Sequence, residues 1–560
     1  MILFVGSILY HSNKNAFTIK FLYFRLKILR MQPNVFLKIK FILLFIAFSQ
    51  NAKSQSDLAL TPDEQYDAKN YIQALDGLLK LEKEYPGDIE LKHRIGVCYL
   101  NIHTDKSLAI PYFEACYKTG SYKNELLLEL AKAYHFAYKF KEAVSYYHLY
   151  REKASAKSIP LVDHYIETCE NAIELVKKPI NITMENLGKE VNTKYADYYP
   201  FVTKDEKTLF YTSRRDQNTG RLRSFNGYFT SDIYTSKVEN GNWSRAKNMG
   251  VLINTNEDEQ CVGISSDGKN MIMFVDNNSN PGDLFHTEIM KTKTFEKPGP
   301  FEEPINSGAL ESEGCYSADG NTIFFVSNRK GNLGETDIYT SKRLPNGKWG
   351  IPVNLGNNIN TIYKEAFPQI SDDGKTLYFS SQGHTSMGGF DIFRATWNEH
   401  DKKWNAPVNL GYPLNTTDDD MMFSVAGNKR DGYISAWRKE GLGDLDIYKI
   451  IFNNVEEPQT ALMGYVSLSD TSKKEIDAFI SIKNLKTNEE LDSKNVNKIT
   501  GKYLFIVPPG KYQIEITSDG NTTIQENITI LDKSDFKSEL KKDFVLRSEH
   551  FSSPTKNAKP

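Results

Sequence analysis

The pattern Asp, then Ile or Leu, then an aromatic residue recurs five times in the middle of the chain and constrains its fold most strongly. The copies are Asp232-Ile233-Tyr234, Asp283-Leu284-Phe285, Asp337-Ile338-Tyr339, Asp391-Ile392-Phe393 and Asp446-Ile447-Tyr448. Successive aspartates lie about 51 to 55 residues apart, and a fixed period of this length is typical of repeat architectures. Because the repeated residues suit strands, we predict a β-propeller rather than a single catalytic domain.

Each repeat has further parts. Segments with a turn and an apolar run precede the first four triplets, at residues 204–211, 266–274, 318–325 and 372–379, and a degenerate copy lies at 429–435. Their Asp-Gly pairs tolerate the positive φ angles of a two-residue hairpin turn, and the apolar run suits a buried strand. Downstream come tryptophans, Asn-Leu-Gly phrases and Asn-Thr pairs, at Trp243, Trp349, Trp404, Asn354, Asn409, Asn254, Asn360 and Asn415.

The same phrases open the region, at Asn186 and Asn192, so we place the propeller at residues 181–452. Five units predict five blades, or six if a weak blade lies at one end. The repeated residues are expected to be structural, because aspartates accept backbone hydrogen bonds at turns and aromatics pack between blades. Function is expected on loops that differ between blades, of which the longest is the insert 216–230.

The propeller region resembles a known family. Residues 371–380, Ser-Asp-Asp-Gly-Lys-Thr-Leu-Tyr-Phe-Ser, are similar to the WD40-like repeats of TolB-type propellers. The resemblance implies a propeller fold and identifies no catalytic residue.

A helical period at residues 61–178 precedes the propeller. The residues that carry it fit three copies of the tetratricopeptide (TPR) pattern: Ala74, Gly96, Tyr99, Ala109, Ala131, Tyr134 and Ala143. Ala74, Ala109 and Ala143 recur about every 34 residues, the TPR period, and small residues let paired helices approach closely. Such arrays bind protein segments in a groove, and the alternative is a rigid spacer whose groove is buried against the propeller.

Residues 459–547 predict a small β-sandwich, because apolar and polar residues alternate along their strands. Gly464-Tyr465-Val466, Gly501-Lys502-Tyr503 and Pro509-Gly510-Lys511-Tyr512 resemble the carboxypeptidase regulatory-like domain. Asn521 stands where that family often has a tyrosine. The tail 548–560 is polar and is expected to be disordered.

The first 54 residues predict an export signal, with translation starting at Met1 or at Met31. Lys38 and Lys40 precede the apolar run 41–48, which is too short to span a membrane, and cleavage is expected after Ser54. The alternative is a retained membrane anchor. We therefore expect a periplasmic protein, free or associated with the outer membrane, without a stable transmembrane span.

Composition and cysteine usage exclude several classes. The chain has 69 basic and 71 acidic residues, so it lacks the basic excess that nucleic-acid binding needs. The chain has five cysteines, and an odd number argues against a full disulfide framework. Cys261 and Cys315 occupy matching places in adjacent repeats and form either a disulfide or, as we favour, two buried thiols.

No enzyme motif is evident, and we predict a chain that is not an enzyme and carries no cofactor or metal. The Gly-x-Ser-x-Gly elbow of hydrolases is missing, since residues 263–267 end in Asp267. The acidic runs 257–259 and 418–420 are expected to be solvated loops, with calcium binding as the lesser alternative.

The order of the three modules resembles periplasmic proteins of Bacteroidetes that end in an OmpA-like domain and are associated with type IX secretion and gliding motility. The resemblance implies a scaffold that binds outer-membrane or secretion-machinery proteins in the cell envelope. Direct peptidoglycan binding is not expected, because the chain stops where the OmpA-like domain would begin. The alternative function is a soluble glycan- or peptide-binding propeller.

Overall fold

A computed structural model describes residues 60–548 except 225, 278–279, 291–293, 427–430, 454–458, 471–474, 531–536 and 538. The predicted export signal and nearly all of the predicted tail lie outside the described residues. The chain divides into two compact units, residues 1–65 and 66–560. Within the described ranges, no helix is long and apolar enough to cross a membrane.

Seven α-helices make up the first part of the described chain. They are α1 Pro62–Asp67, α2 Tyr71–Glu84, α3 Ile89–Leu100, α4 Ile110–Tyr117, α5 Glu125–Phe136, α6 Phe140–Lys153 and α7 Ile159–Val176, with a 3-10 turn at Lys106–Ala109. The side chains of Asn70 and Asp88 accept hydrogen bonds from backbone N–H groups in the first turns of α2 and α3. Such caps fix where each helix begins.

Small residues set the distance between neighbouring helices. Ala74, Ala109, Ala131 and Ala143 are fully buried. A Cβ atom added at Gly96 would lie 2.6 Å from Cε1 of Phe113, so only glycine lets α3 and α4 pack this closely. Tyr99 stacks on Tyr112 and Tyr134 on Tyr146, with ring centroids 5.9 and 5.5 Å apart.

Five small antiparallel sheets follow the helices. Sheet 1 contains β2 Asp197–Val202, β3 Thr208–Ser213, β4 Asp232–Glu239, β5 Asn242–Trp243 and β6 Lys247–Asn248. Sheet 2 contains β7 Asp258–Ile264, β8 Asn270–Asn277, β9 Asn280–Glu288 and β10 Gly299–Pro300. Sheet 3 contains β11 Glu311–Tyr316, β12 Thr322–Ser327, β13 Asp337–Lys342 and β14 Val353–Asn354.

Sheet 4 contains β15 Glu365–Ile370, β16 Thr376–Ser381, β17 Asp391–Asn398, β18 Lys403–Trp404 and β19 Val408–Asn409. Sheet 5 joins β20 Met421–Val425, β21 Gly432–Ala436 and β22 Asp446–Phe452 to β1 Ile182–Asn186. The earliest strand of the region therefore completes its last sheet, pairing Ile182 with Phe452.

We call β2, β7, β11, β15 and β20 the inner strands. Each contacts the next in this order, and β20 contacts β2. The sheets therefore form a closed, propeller-like ring. Each inner strand contains a register shift, such as the one between Ala366 and Gln369 in β15. A shift of this kind bends the strand and turns it toward the axis of the ring.

The turn between the first two strands of a sheet differs from the prediction. In sheet 4, Ser371 N–H bonds to Thr376 O at 2.8 Å, so four residues rather than two form the loop. Asp373 explains the longer loop, because its Oδ1 accepts hydrogen bonds from Ser371 Oγ at 2.6 Å and Lys375 N at 3.0 Å. Gly374 supplies the positive φ angle of 68°.

Two further sheets pack around one apolar core at the end of the described chain. Their strands are β23 Thr460–Leu468, β24 Phe479–Asn484, β25 Glu490–Asn495, β26 Lys502–Val507, β27 Gly510–Thr517, β28 Ile524–Ile530, β29 Glu539–Lys541 and β30 Phe544–Leu546. The core is centred on Phe505, Tyr512 and Ile514. Helix α7 contacts these sheets through Glu167, which bonds to Lys502 Nζ at 3.2 Å, and through Glu170, which accepts from Asn497 Nδ2.

One loop of sheet 4 makes a buried contact between the ring and the helical region. Met387 is fully buried against Ala172 and Leu175 of α7. The backbone around it is held from both sides: Asn171 Nδ2 donates to Ser386 O, and His135 Nε2 bonds to Met387 O, each at 2.9 Å. Burial lowers the pKa of His135 to about 4, so at neutral pH the uncharged ring donates this hydrogen bond.

Equivalent positions in other sheets show how specific this contact is. Leu333, Met387 and Leu442 each lie four residues before a motif aspartate and donate their backbone N–H to it. Leu333 and Leu442 are 49% and 48% exposed, whereas Met387 is 0% exposed. The same loop position therefore serves as an anchor only in the sheet that faces α7.

We predict that Met387→Ala lowers the free energy of unfolding by about 2 to 5 kcal/mol, because it leaves a cavity between loop and helix. Leu333→Ala and Leu442→Ala are matched controls and should change it by less than about 0.5 kcal/mol. Urea denaturation followed by fluorescence measures all three. Equal effects of the three substitutions would show that Met387 does not anchor the helices.

Candidate functional site

The motif aspartates begin the third strand in four of the five sheets and join that strand to two loops. In sheet 3, Asp337 Oδ2 accepts hydrogen bonds from Leu333 N and Asn354 Nδ2, both at 2.6 Å. Asp232, Asp391 and Asp446 make the same type of bond to Asn248, Asn409 and Asn186. The fifth copy, Asp283, lies inside β9 instead.

The motif aromatics Tyr234, Phe285, Tyr339, Phe393 and Tyr448 contribute to apolar clusters shared by adjacent sheets. In addition, the hydroxyl of Tyr234 donates to Asn218 Oδ1 at 2.9 Å. Their assignment as structural rather than functional residues stays a prediction, and so does that of the helical motif residues.

A second asparagine in each repeat binds the residue after the motif aspartate. Asn360 Oδ1 accepts from Ile338 N at 2.8 Å, and Asn360 Nδ2 donates to Ile338 O at 3.0 Å. We call this two-bond arrangement the asparagine clamp. The other pairs are Asn192 with Ile447, Asn254 with Ile233, Asn306 with Leu284 and Asn415 with Ile392.

Sequence reasoning missed a carboxylate at the start of every inner strand. These residues, here called the ring carboxylates, are Asp197, Glu259, Glu311, Glu365 and Asp420, and all are buried. Each accepts hydrogen bonds from the backbone N–H and hydroxyl of a Thr or Ser four residues earlier, as Glu365 does from Thr361 at 2.8 and 2.7 Å. The signal was present as Asn-Thr or Asn-Ser followed four residues later by an acid.

The ring carboxylates differ in their charge environment. Arg215 lies 2.5 Å from Asp197, and Arg329 lies 3.0 Å from Glu311. Glu365 instead accepts a hydrogen bond from Ser381 Oγ at 2.8 Å, and burial raises its pKa to about 7. Burial likewise raises the pKa of Glu259 to about 7.

The two acidic runs are not solvated loops throughout, contrary to the prediction. Glu259 and Asp420 are ring carboxylates, which is why they are buried. Asp418 forms an ion pair with Lys106 of the helical region, at 2.5 Å. Among the described residues, no group of three or more His, Cys, Asp or Glu side chains could hold a metal ion.

Two further predictions concern the insert 216–230 and the cysteines. Asn218 is buried and donates to Ser213 O and Thr230 O, which holds the insert against sheet 1. Cys261 and Cys315 are free, buried thiols, as are the other three cysteines.

Two of the cavities in the described part of the chain lie where several elements converge. One is a cleft of about 840 Å³ between the N-terminal ends of α3 and α5. The other is a pocket of about 250 Å³ on the axis of the ring, on the side of the hairpin loops. Both cavities are therefore candidate binding sites.

Comparisons with known proteins give no family. No family model matches the chain. No curated protein matches it either.

Solved structures match only distantly. A GH43 β-xylosidase/α-arabinofuranosidase from a compost microbial metagenome is 14% identical over 48% of this chain and 93% of its own, with a TM-score of 0.30. A B. megaterium levansucrase mutant is 9% identical over 48% and 89%, with a TM-score of 0.31. The RRP9 WD40 repeats are 9% identical over 48% and 99%, with a TM-score of 0.26.

These matches contradict the prediction that the chain is not an enzyme. Two of the three proteins are enzymes by their titles, so a ring of small sheets is no ground for excluding catalysis. The exclusion is therefore withdrawn. At these TM-scores the matches assign no activity to this chain.

We predict that Glu365→Gln makes stability less dependent on pH. The folded-state pKa of about 7 lies above the usual value of 4.5, so Glu365 favours folding below pH 4.5 and loses that contribution as pH rises through 7. The loss is on the order of 3 kcal/mol. Glutamine keeps the shape without the charge, so the variant should gain stability relative to the wild type between pH 5 and pH 8.

Urea denaturation at both pH values measures this difference. The control Glu302→Gln removes an exposed carboxylate and should leave the pH dependence of the wild type unchanged. A Glu365→Gln variant that follows the wild type at both pH values would contradict the assignment.

Proposed function

We propose that the chain is a binding scaffold of the bacterial cell envelope that holds a segment of a partner protein in its helical region. The proposal treats the helices as a TPR array, the ring as a five-bladed propeller and the last two sheets as a carboxypeptidase regulatory-like sandwich. Each of helices α2 to α6 packs against the helix that follows it, and the five sheets contact one another in a closed order. Both observations support the proposal. The proposed periplasmic location and the link to secretion or gliding motility rest on the module order.

The single observation that carries the proposal is the cleft at the N-terminal ends of α3 and α5. Its lining combines apolar, aromatic and charged side chains from four helices and a loop: Tyr66, Ile89, Glu90, His93, Cys116, Ser121, Tyr122, Lys123, Glu125 and Leu126. Ile89 is 37% exposed although it is a large aliphatic residue. Exposed apolar surface rimmed by polar groups is typical of protein-binding sites.

The cleft is held in shape by polar contacts beneath it. His93 Nε2 lies 2.7 Å from Glu129 Oε2, which ties α3 to α5. The hydrogen bond to Glu129 raises the pKa of His93, so the ring keeps its proton to higher pH than a free histidine. Tyr117 and Tyr122 pack with ring centroids 5.0 Å apart and support the wall.

Other parts of the helical region contact the ring. Helix α7 and the end of α5 hold the loop around Met387, and the 3-10 turn before α4 is bound to the ring through Lys106 and Asp418. A partner segment is therefore expected at the cleft between α3 and α5. The ring and the last sheets would act as the rigid base that presents the cleft.

We predict that a photo-crosslinking amino acid at Lys123, in the full chain in its native host, captures an outer-membrane or secretion-machinery protein. The same probe at Lys348, an exposed residue of sheet 3, is the control and should capture nothing above background. Mass spectrometry identifies the captured protein. Capture of the same proteins from both positions, or from neither, would contradict the proposal.

A substitution tests whether the captured partner contacts the cleft or only lies near Lys123. Ile89→Asp should abolish capture from Lys123 without unfolding the helix, because acidic residues are favourable in the first turn of a helix. Ile351→Asp is the matched control, since Ile351 is 86% exposed and lies on sheet 3. Unchanged capture in the Ile89 variant would place the partner elsewhere.

A further inference from the structure

A groove of about 790 Å³ lies between sheets 3 and 4, on the side of the hairpin loops. One wall is a face of sheet 3. Phe324, Thr340 and Val353 lie side by side on it, because the register pairs Phe324 with Thr340 and Thr340 with Val353. The other wall is formed by β17 and β18, where Trp397 pairs with Trp404 and the ring centroids are 5.3 Å apart. Two sheets of the ring therefore set the shape of the groove.

The groove is open because two short residues occupy positions where longer ones bridge another gap of the ring. Between sheets 5 and 1, Lys449 Nζ of β22 lies 3.3 Å from Glu206 Oε2 in the turn between β2 and β3. Lys449 comes three residues after its motif aspartate, and Glu206 comes directly after Asp205 of its turn. The equivalent residues of sheets 3 and 4 are Thr340 and Gly374, which line the groove. Neither is long enough to reach across it.

Apolar side chains in the groove are accessible to a bound molecule. Val353 is 61% exposed although it is a β-branched aliphatic residue. Leu355, Ile370 and Trp397 are partly exposed and line the same space. Trp404 is buried and supports Trp397 from behind. Aliphatic and aromatic side chains gathered in one concave site are typical of small-molecule binding.

The charges at the rim of the groove favour an anion. Its charged lining residues comprise four lysines and two acids: Lys342, Lys375, Lys402, Lys403, Asp373 and Glu399. Glu399 is shared by two of these lysines, with N–O distances of 3.3 and 3.1 Å, and Lys403 lies 3.8 Å from Asp401. Lys342 is exposed and forms no ion pair with any of the described residues. Such an excess of one sign attracts ligands of the opposite charge.

We propose that this groove binds a small amphipathic anion, a molecule with an apolar ring body and one negatively charged group. The ring body packs against Val353 and Trp397, and the charged group lies at the rim beside Lys342. The volume suits such a ligand, since pockets for drug-sized molecules measure roughly 300 to 1,000 Å³. This inference does not depend on partner binding at the helical cleft, because no residue lines both cavities.

Fluorescence titration of the full chain with anilinonaphthalene sulfonate tests the proposal, because this aromatic anion becomes fluorescent in apolar surroundings. The probe should bind, and Lys342→Glu should weaken that binding about tenfold or more, since the rim then repels the sulfonate. Lys348→Glu makes the same charge change on an exposed residue of sheet 3 outside the groove and should bind like the wild type. No binding of the probe, or equal binding by the Lys342 variant, would overturn the proposal.

Two further comparisons separate the charged rim from the apolar wall. Phenylnaphthylamine has the same rings without the sulfonate and should bind the wild type more weakly than the anion does. Val353→Asp should weaken binding of the anion about tenfold or more, because it places a carboxylate against the ring body. Ile351→Asp is its control, since Ile351 is 86% exposed and does not line the groove. Tighter or equal binding of the uncharged probe, or equal effects of the two substitutions, would contradict the assignment.

Hydrogen exchange on the wild type locates the bound anion without any substitution. The probe should slow exchange in the segments 353–358 and 397–404 and leave 479–484 unchanged. Protection confined to other parts of the chain would also overturn the proposal, because the anion would then bind outside the groove.

Discussion

The ring depends on the asparagine clamp. A third strand in each sheet must be fixed relative to the loop that leads into the next sheet, and the two hydrogen bonds between Asn360 and Ile338 do this in sheet 3. They satisfy the backbone N–H of Ile338, which would otherwise be buried unpaired at a cost of roughly 1 to 3 kcal/mol. The C=O of Ile338 also accepts a hydrogen bond from Leu355 N at 3.1 Å. The clamp recurs in all five sheets, so it sets one geometry around the ring.

The ring carboxylates join the loop after each clamp asparagine to the next strand by further buried hydrogen bonds. Glu365 bonds to Thr361, the residue after the clamp asparagine, and to Ser381 of the neighbouring strand. Clamp and carboxylate thus connect one sheet to the following sheet by polar groups that are buried and nearly all paired. Apolar side chains between the sheets then fill the space that these bonds define.

This regular frame leaves selected positions free to vary. The loop residue four positions before the motif aspartate is exposed as Leu333 in sheet 3 but anchors α7 as Met387 in sheet 4. At the axis, the corresponding strand positions give Gln369 in one sheet and Cys315 in another. Specific contacts of this protein are therefore expected at the variable positions, on a frame that is the same in each repeat.

The sequence allowed the sheets to be located because their signals are local. The period of the Asp337-type motif, the turn at Asp373 and the buried alanines of the helices all follow from spacing and residue type. The role of Glu365 was missed although Asn360-Thr361 lies just before it in the sequence; only its hydrogen bond from Ser381 depends on the folded sheet. The predicted length of the loop after Ser371 was wrong because hydrogen bonds that the Asp373 side chain accepts, rather than the Asp-Gly pair alone, set the turn.

The burial of Met387 could not be predicted, because it depends on a distant part of the chain. Leu333 and Met387 look alike in their local sequence, and only the position of α7 separates them.

Amide hydrogen exchange resolved to single residues tests the clamp most directly. The backbone N–H groups of Ile233, Leu284, Ile338, Ile392 and Ile447 should exchange only through unfolding of the ring, and Asn360→Ala should release Ile338 while the other four stay protected. If these five amides exchanged as fast as those of exposed loops in the wild type, the clamp would not hold the ring together.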